Sequence, residues 1–168
     1  MSQGRDIRIF AYVDYPYDRV RRVLTTDALA AVHGASEAAS FRTKSIASGL
    51  GVALPGIGVK KEIPIAVREI KEKPEGDSAI EGTRFHVEWK ATESPGLFPL
   101  ATAELSIHPL TDEETQLDVY GQSQPAADWL GSEVEAVVSH RIAEASVHRF
   151  VSEVAKYLKG QLAHDSPG

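Results

Sequence analysis

The chain has 168 residues, enough for one domain with a substantial core. It has no cysteine, which excludes disulfide scaffolds, thiolate catalysis and thiolate metal sites. Eighteen basic against twenty-four acidic residues leave a net charge of −6, which argues against a nucleic-acid partner.

Residues 7–13 open the pattern. Ile7, Ile9, Ala11 and Val13 alternate with Arg8, Phe10 and Tyr12, which predicts a half-buried strand. Asp14 and Pro16 then signal a helix start. Val20, Val23 and Leu24 give a short amphipathic helix, and Thr26 can cap a second from Asp27 to His33, stopped by Gly34. Residues 35–40 are small and polar and predict a loop, and Phe41 to Ala47 is compatible with a strand of poor alternation. Ser48 to Gly58 holds four glycines and a proline, a loop or broken hairpin that is apolar enough to act as a flap. Gly51 and Gly56 have the gap of a phosphate loop but lack the Lys and Ser/Thr that must follow.

Four further strands follow. Lys60 to Lys73 places Ile63, Ile65 and Val67 on one face, then slips phase to Ile70 as a bulge would cause. Phe85, Val87, Trp89 and Ala91 alternate with Arg84, His86, Glu88 and Lys90, the cleanest strand of the chain. Ala103, Leu105 and Ile107 alternate with Glu104, Ser106 and His108. After a polar turn over Thr111 to Glu114, Leu117 and Val119 alternate with Gln116, Asp118 and Tyr120.

The last element is a long helix. Ser132 and Glu135 match a capping box, and Gly160 after Lys156 and Lys159 suits a helix stop. Its apolar residues fall into two half-stripes. Leu130, Val134, Val137, Val138 and Ala145 share one face, which Arg141 and His148 continue; Val147, Val151, Val154, Leu158 and Leu162 share another. Each strand has one apolar face, and this helix is the element large enough to cover them. The expected fold is α+β, a curved antiparallel sheet wrapped around a C-terminal helix, with two short helices after the first strand. One domain over residues 1–168 is expected, its core about 5–162 and its tail 163–168. No apolar run approaches the roughly 18 residues of a membrane span, and no signal-peptide pattern opens the chain, so a cytoplasmic protein is expected.

This element order resembles the helix-grip fold of the START and birch-pollen-allergen-like (SRPBCC) superfamily, over Ile7 to Leu162. The resemblance also rests on three stretches. They are Gly82 to Trp89 with Ala91-Thr92, Pro95 to Pro99 leading into Ala101 to Leu105, and His140 to Ala145. They are similar to polyketide cyclase/dehydrase-like members of actinobacterial type. The resemblance implies a cavity between sheet and helix, and functions from lipid carriage to aromatase/cyclase chemistry.

A cavity there would be lined by Ile65, Val67, Phe85, Val87, Trp89, Leu105, Ile107, Leu117 and Val119. The helix would add Val134, Val137, Val138, Arg141, Ala145 and His148, with Arg141 and His148 as the polar groups that orient a ligand. The expected function is binding of a small hydrophobic or aromatic molecule, lipid- or polyketide-like, without catalysis and with no cofactor. A cyclase or dehydratase using Arg141 and His148 on a polyketide-like substrate is the enzymatic alternative, and a non-catalytic interaction module the third. His140, Glu144 and His148 have a metal-like spacing, but i and i+8 lie about 12 Å apart along a helix, too far to share one ion. No metal site is expected. Phe10, Tyr12 and Tyr120 point outward on the first and last strands, which the resemblance implies are neighbours, a candidate homodimer contact.

Overall fold

A computed structural model describes residues 6–51, 65–72, 82–89, 99–123 and 136–165, with side chains described except at 69–72, 136 and 165. The elements are β1 (Asp6–Val13), α1 (Tyr17–Gly49), β2 (Ile65–Glu72), β3 (Gly82–Trp89), β4 (Leu100–Pro109), β5 (Thr115–Ser123) and α2 (Ala136–Asp165). The five strands form one antiparallel sheet in the order β1-β5-β4-β3-β2. The first strand therefore pairs with the last, with Ile9 opposite Val119 and Phe10 opposite Asp118.

The alternation of each strand becomes two chemically distinct faces. Ile7, Phe85, Val87, Leu105, Ile107, Leu117 and Val119 are all buried on the inner face. The outer face carries a row across the whole sheet: Arg8, Tyr120, Glu104, His86 and Arg68 stand opposite one another on β1, β5, β4, β3 and β2. The β4–β5 turn is closed by the Leu110 and Thr111 amides donating to the Glu114 carbonyl, at 2.9 and 3.1 Å. A register shift between Leu100 and Ala103 bulges β4 opposite Gly121.

Both helices cover the inner face. They pack chiefly on each other, α2 also on β1 and β5, and α1 also on β2 and β4. They run antiparallel: the Arg19 guanidinium donates to the Leu162 carbonyl at 3.3 Å, and Thr43 meets Ser146 at 2.6 Å. Tyr157 hydrogen-bonds Asp27 between these two points. Its burial first, and the Asp27 carboxylate second, push the phenol above its usual range.

The region after β1 differs from the expectation of two short helices and a loop. A helix does start at Pro16, whose carbonyl accepts from the Arg19 and Val20 amides, and a break does fall at Asp27 (φ −119°, ψ 24°). The second segment, however, runs on through Gly34 to Gly49. It takes up residues 35–40, expected to be a loop, and 41–47, compatible with a strand. The reason is packing. Ala31, Val32, Ala35, Ser36, Ala39, Thr43 and Ala47 recur at helical spacing and are all buried, forming a seam of small side chains. Tertiary burial there outweighs the ~1 kcal/mol helix penalty of one exposed glycine. The stop comes at Gly51 (φ 75°), whose amide donates to the Ser48 carbonyl at 3.1 Å.

The C-terminal helix passes Gly160, the expected stop, and reaches Asp165. Leu162 beyond it is buried, which again supplies the reason. The capping box at Ser132, the flap from residue 52 onward and most of the 95–99 stretch lie outside the described residues. No described helix is long and apolar enough to cross a membrane.

Candidate functional site

The space between sheet and helices is where a ligand was expected, and the structure divides it in two. Over β3, β4 and β5 it is closed. Phe85, Val87, Leu105, Ile107, Leu117 and Val119 are at most 1% exposed and pack under Ile142, Val147, Phe150, Val151 and Val154. Trp89, the last residue of β3, is buried on the same face. Its ring meets Phe150 edge-on at 5.6 Å, and its indole N–H donates to the Ser36 hydroxyl at 2.8 Å.

Toward β2 and the paired helix ends, apolar side chains among the described residues are partly or largely exposed. Ile65 and Val67 on β2, Ile46 on α1 and Val138 on α2 are only partly covered. Leu50 just after α1 and Val137 at the start of α2 are 59% and 58% exposed. The antiparallel pairing of the helices brings the end of α1 and the start of α2 to the same end of the domain.

The phase of the last helix is the main correction. The half-stripe expected to face the interior is the outer one: Val137, Arg141 and His148 are exposed, and Ala145 and Val138 are intermediate. Val134 lies outside the described residues. The half-stripe expected to anchor elsewhere, Val147 to Leu162, is the one buried against the sheet and α1. Sequence periodicity showed two stripes but could not rank them. The ranking came from Ile142, Ala143, Ser146 and Phe150, which join the Val147 stripe and widen it. Arg141 and His148 therefore do not enter the interior to orient a ligand.

Polar groups that do enter it come from elsewhere. The Tyr17 hydroxyl meets Thr83 Oγ1 at 2.6 Å, and Arg21 Nε donates to the same oxygen at 3.1 Å. Of the Thr43 and Ser146 hydroxyls, one donates to the other, and the accepting one donates back to its own helix, to the carbonyl of Ala39 or of Ile142. His140 is the group the sequence undersold. Its Nε2 lies 2.7 Å from the Glu144 carboxylate, while its Nδ1 is buried with no hydrogen-bond partner among the described residues. The i,i+4 spacing to Glu144 was visible, but it reads as a surface charge pair until burial is known. His148, the third member of that spacing, stays out in solvent.

The outer face has its own network. Arg8 holds Asp118 through Nε at 3.2 Å and Nη2 at 3.1 Å, and its guanidinium lies over the Phe10 and Tyr120 rings at 5.6 and 5.5 Å. His86 lies 3.0 Å from Glu104 and 3.1 Å from Glu88. The hydrogen bond to Glu104 is the largest influence; with Glu88 it outweighs partial burial and raises the imidazole above its usual pKa.

Among solved structures the chain is similar to the Zhui aromatase/cyclase of Streptomyces sp. R1128, at 16% identity over 95% of this chain and 94% of that one, with a TM-score of 0.44. It is also similar to norcoclaurine synthase of Thalictrum flavum, solved with dopamine and hydroxybenzaldehyde (12% identity, 98% and 91% covered, TM-score 0.41). A third is Ara h 8.0201 (9% identity, 93% and 98% covered, TM-score 0.35). No family model and no curated protein matches the chain. The helix-grip fold itself rests on the strand order, the register and the two covering helices.

Proposed function

We propose that this protein binds a small hydrophobic or aromatic molecule and does so without catalysis. The observation that supports this is the partial exposure, among the described residues, of apolar side chains at one end of the core. The inner face is sealed over three strands, yet Ile65, Val67, Ile46 and Val138 stay partly accessible beside the exposed Leu50 and Val137. Apolar surface left open at the mouth of an otherwise closed core suits an apolar guest. The guest would meet Ile65, Val67 and Val138 first. Trp89 pairs with Ile65 in register and would form the floor. Phe85, Val87, Leu105, Ile107, Leu117 and Val119 would line a site only if the guest displaced packed side chains.

The test is titration with the fluorescent probe 1-anilinonaphthalene-8-sulfonate, with stoichiometry read by native mass spectrometry. Saturable one-to-one binding, weakened by Val138→Glu and by Val67→Glu in variants that keep the native circular dichroism, is the expected result. Binding that does not saturate, or that both variants leave unchanged, refutes the proposal.

The outer patch of Phe10, Tyr12 and Tyr120 supports a second role, self-association. The three rings are 46%, 50% and 42% exposed, and β1, which carries two of them, ends the described strand order.

A further inference from the structure

We infer that β1 is a pairing edge. Two copies of the chain join through it, antiparallel, with Ile9 opposite the second copy's Ile9, so that their two five-stranded sheets become one. The inference rests on the self-association proposed above and adds its geometry.

The two ends of the described strand order differ. β2 carries Arg68, Glu69, Lys71 and Glu72, the density of charge that keeps an edge from pairing. β1 has Asp6 and Arg8 as its only charges, with no lysine, proline or glycine, and pairs with β5 in unbroken register from Asp6 to Val13. Both charges are turned back toward β5. Gln122 donates to Asp6 at 3.1 Å, and Arg8 holds Asp118 at 3.1 Å while its guanidinium lies over the Phe10 and Tyr120 rings. What remains is apolar on both faces. Phe10 and Tyr12 are about half exposed outside, and Ile9 and Ala11, between the buried Ile7 and Val13, are only partly covered inside.

The register follows from the order of these residues. Directly opposed residues on antiparallel strands share a face, so inner residues must meet inner ones. Centring the pair on Arg8 sets two guanidiniums against each other, and centring it on Phe10 sets Asp6 against Asp14; like charges directly opposed are destabilising. Centring on Ile7 pairs only Asp6 to Arg8, and centring on Ala11 only Ile9 to Val13. Centring on Ile9 pairs Asp6 to Tyr12. Arg8 then faces the second copy's Phe10, the ring it already stacks on within its own chain, and Asp6 faces a Tyr12 hydroxyl that can donate to it. On the inner face the half-covered Ile9 meets its own copy. Phe10 and Tyr12, at about 150–250 Å² each and half exposed, offer about 150–250 Å² from each chain, far below the ~800 Å² of a standard interface. The dimer is therefore weak and reversible.

The chain has no cysteine, so one introduced thiol reports one position. Sedimentation equilibrium of the wild type should show a monomer–dimer equilibrium, weakened about tenfold or more by Phe10→Lys in a variant that keeps the native circular dichroism. Among Arg8→Cys, Ile9→Cys, Phe10→Cys and Ala11→Cys under mild oxidation, Ile9→Cys should form covalent dimer fastest. Only there does a residue stand opposite its own copy, at a Cα separation of about 4.5–5.5 Å that a disulfide spans. Asp6→Cys and Tyr12→Cys, both at exposed positions, should when mixed crosslink to each other in preference to themselves. A dimer that crosslinks fastest at another position or at none, or that Phe10→Lys leaves at wild-type strength, overturns the edge pairing and leaves self-association standing. A wild type that is monomeric at every concentration overturns both.

Discussion

Adding one methyl group at three glycines should produce opposite signs of stability change. At Gly121 an added Cβ would lie 2.9 Å from the Thr102 carbonyl oxygen, and 3.3 Å from both Ala103 Cβ and Leu100 Cδ1. The first obstacle is backbone, fixed where β4 bulges, so it cannot rotate away. Overpacking of this kind costs about 1–3 kcal/mol. For a domain of 150–250 residues each kcal/mol moves Tm by about 2–4 °C, so Gly121→Ala should lower it by about 2–12 °C. Gly34 and Gly160 lie inside α1 and α2, and an added Cβ at either meets nothing within 4 Å. There the methyl only restricts the unfolded chain and favours the helix. Gly34→Ala and Gly160→Ala should each add about 0.5–1 kcal/mol, a rise of about 1–4 °C. The assay is thermal unfolding by circular dichroism, with urea midpoints as a second measure. If Gly121→Ala is neutral or stabilising, the close approach of β5 to the β4 bulge is wrong. If Gly34→Ala destabilises, α1 does not run through that position.

Three other outcomes follow from the same contacts. Thr43→Val and Ser146→Ala should each cost about 1 kcal/mol, and the double variant should cost less than their sum by about 0.5 kcal/mol or more, since both break one contact; additive urea-unfolding values would place the two hydroxyls apart. His86 should titrate above 6.5 by NMR in the wild type and fall in Glu104→Gln, because its acid partners raise the folded value. A raised folded pKa contributes stability that is fully present below 6.5 and is lost as pH rises through the folded value, so His86→Gln should flatten the stability profile in that window. Self-association through the outer rings predicts a dimer mass by light scattering that Tyr12→Ser reduces to the monomer; a wild-type monomer at every concentration would rule that role out.

The strands were legible because each has one buried face, and a period of two is hard to counterfeit when Phe85, Val87 and Trp89 all point the same way. The pairing of β1 with β5 was expected only from the fold that the chain resembles. The run of α1 past Gly34 to Gly49 was not legible. Its buried face is Ala, Ser and Thr, residues that carry little hydrophobic signal and are common in loops, and Gly34 sits among them. What makes them helical is a partner helix more than a hundred residues away, close enough that only small side chains fit. The candidate site failed in the same place. Arg141 and His148 continued an apolar stripe, so they looked inward, but helix rotation is set by the whole contact with α1 and the sheet. Ile142, Ser146 and Phe150 fix that rotation, and they turn His140 partly inward instead.

The pairing of the first strand with the last has a consequence for how the protein is made. Arg8 and Asp118 are 110 residues apart in sequence, and the contact between them ties the two ends of the sheet's history together. While the ribosome is still at work, β1 has no partner. It waits, with Ile7 and Val13 uncovered, until nearly three-quarters of the chain has emerged. Closure of the sheet is then a late, long-range event, slow by the ordinary dependence of folding rate on sequence separation. A message truncated before β5 would leave β1 unpaired and its inner face bare, the kind of species that chaperones hold and proteases remove.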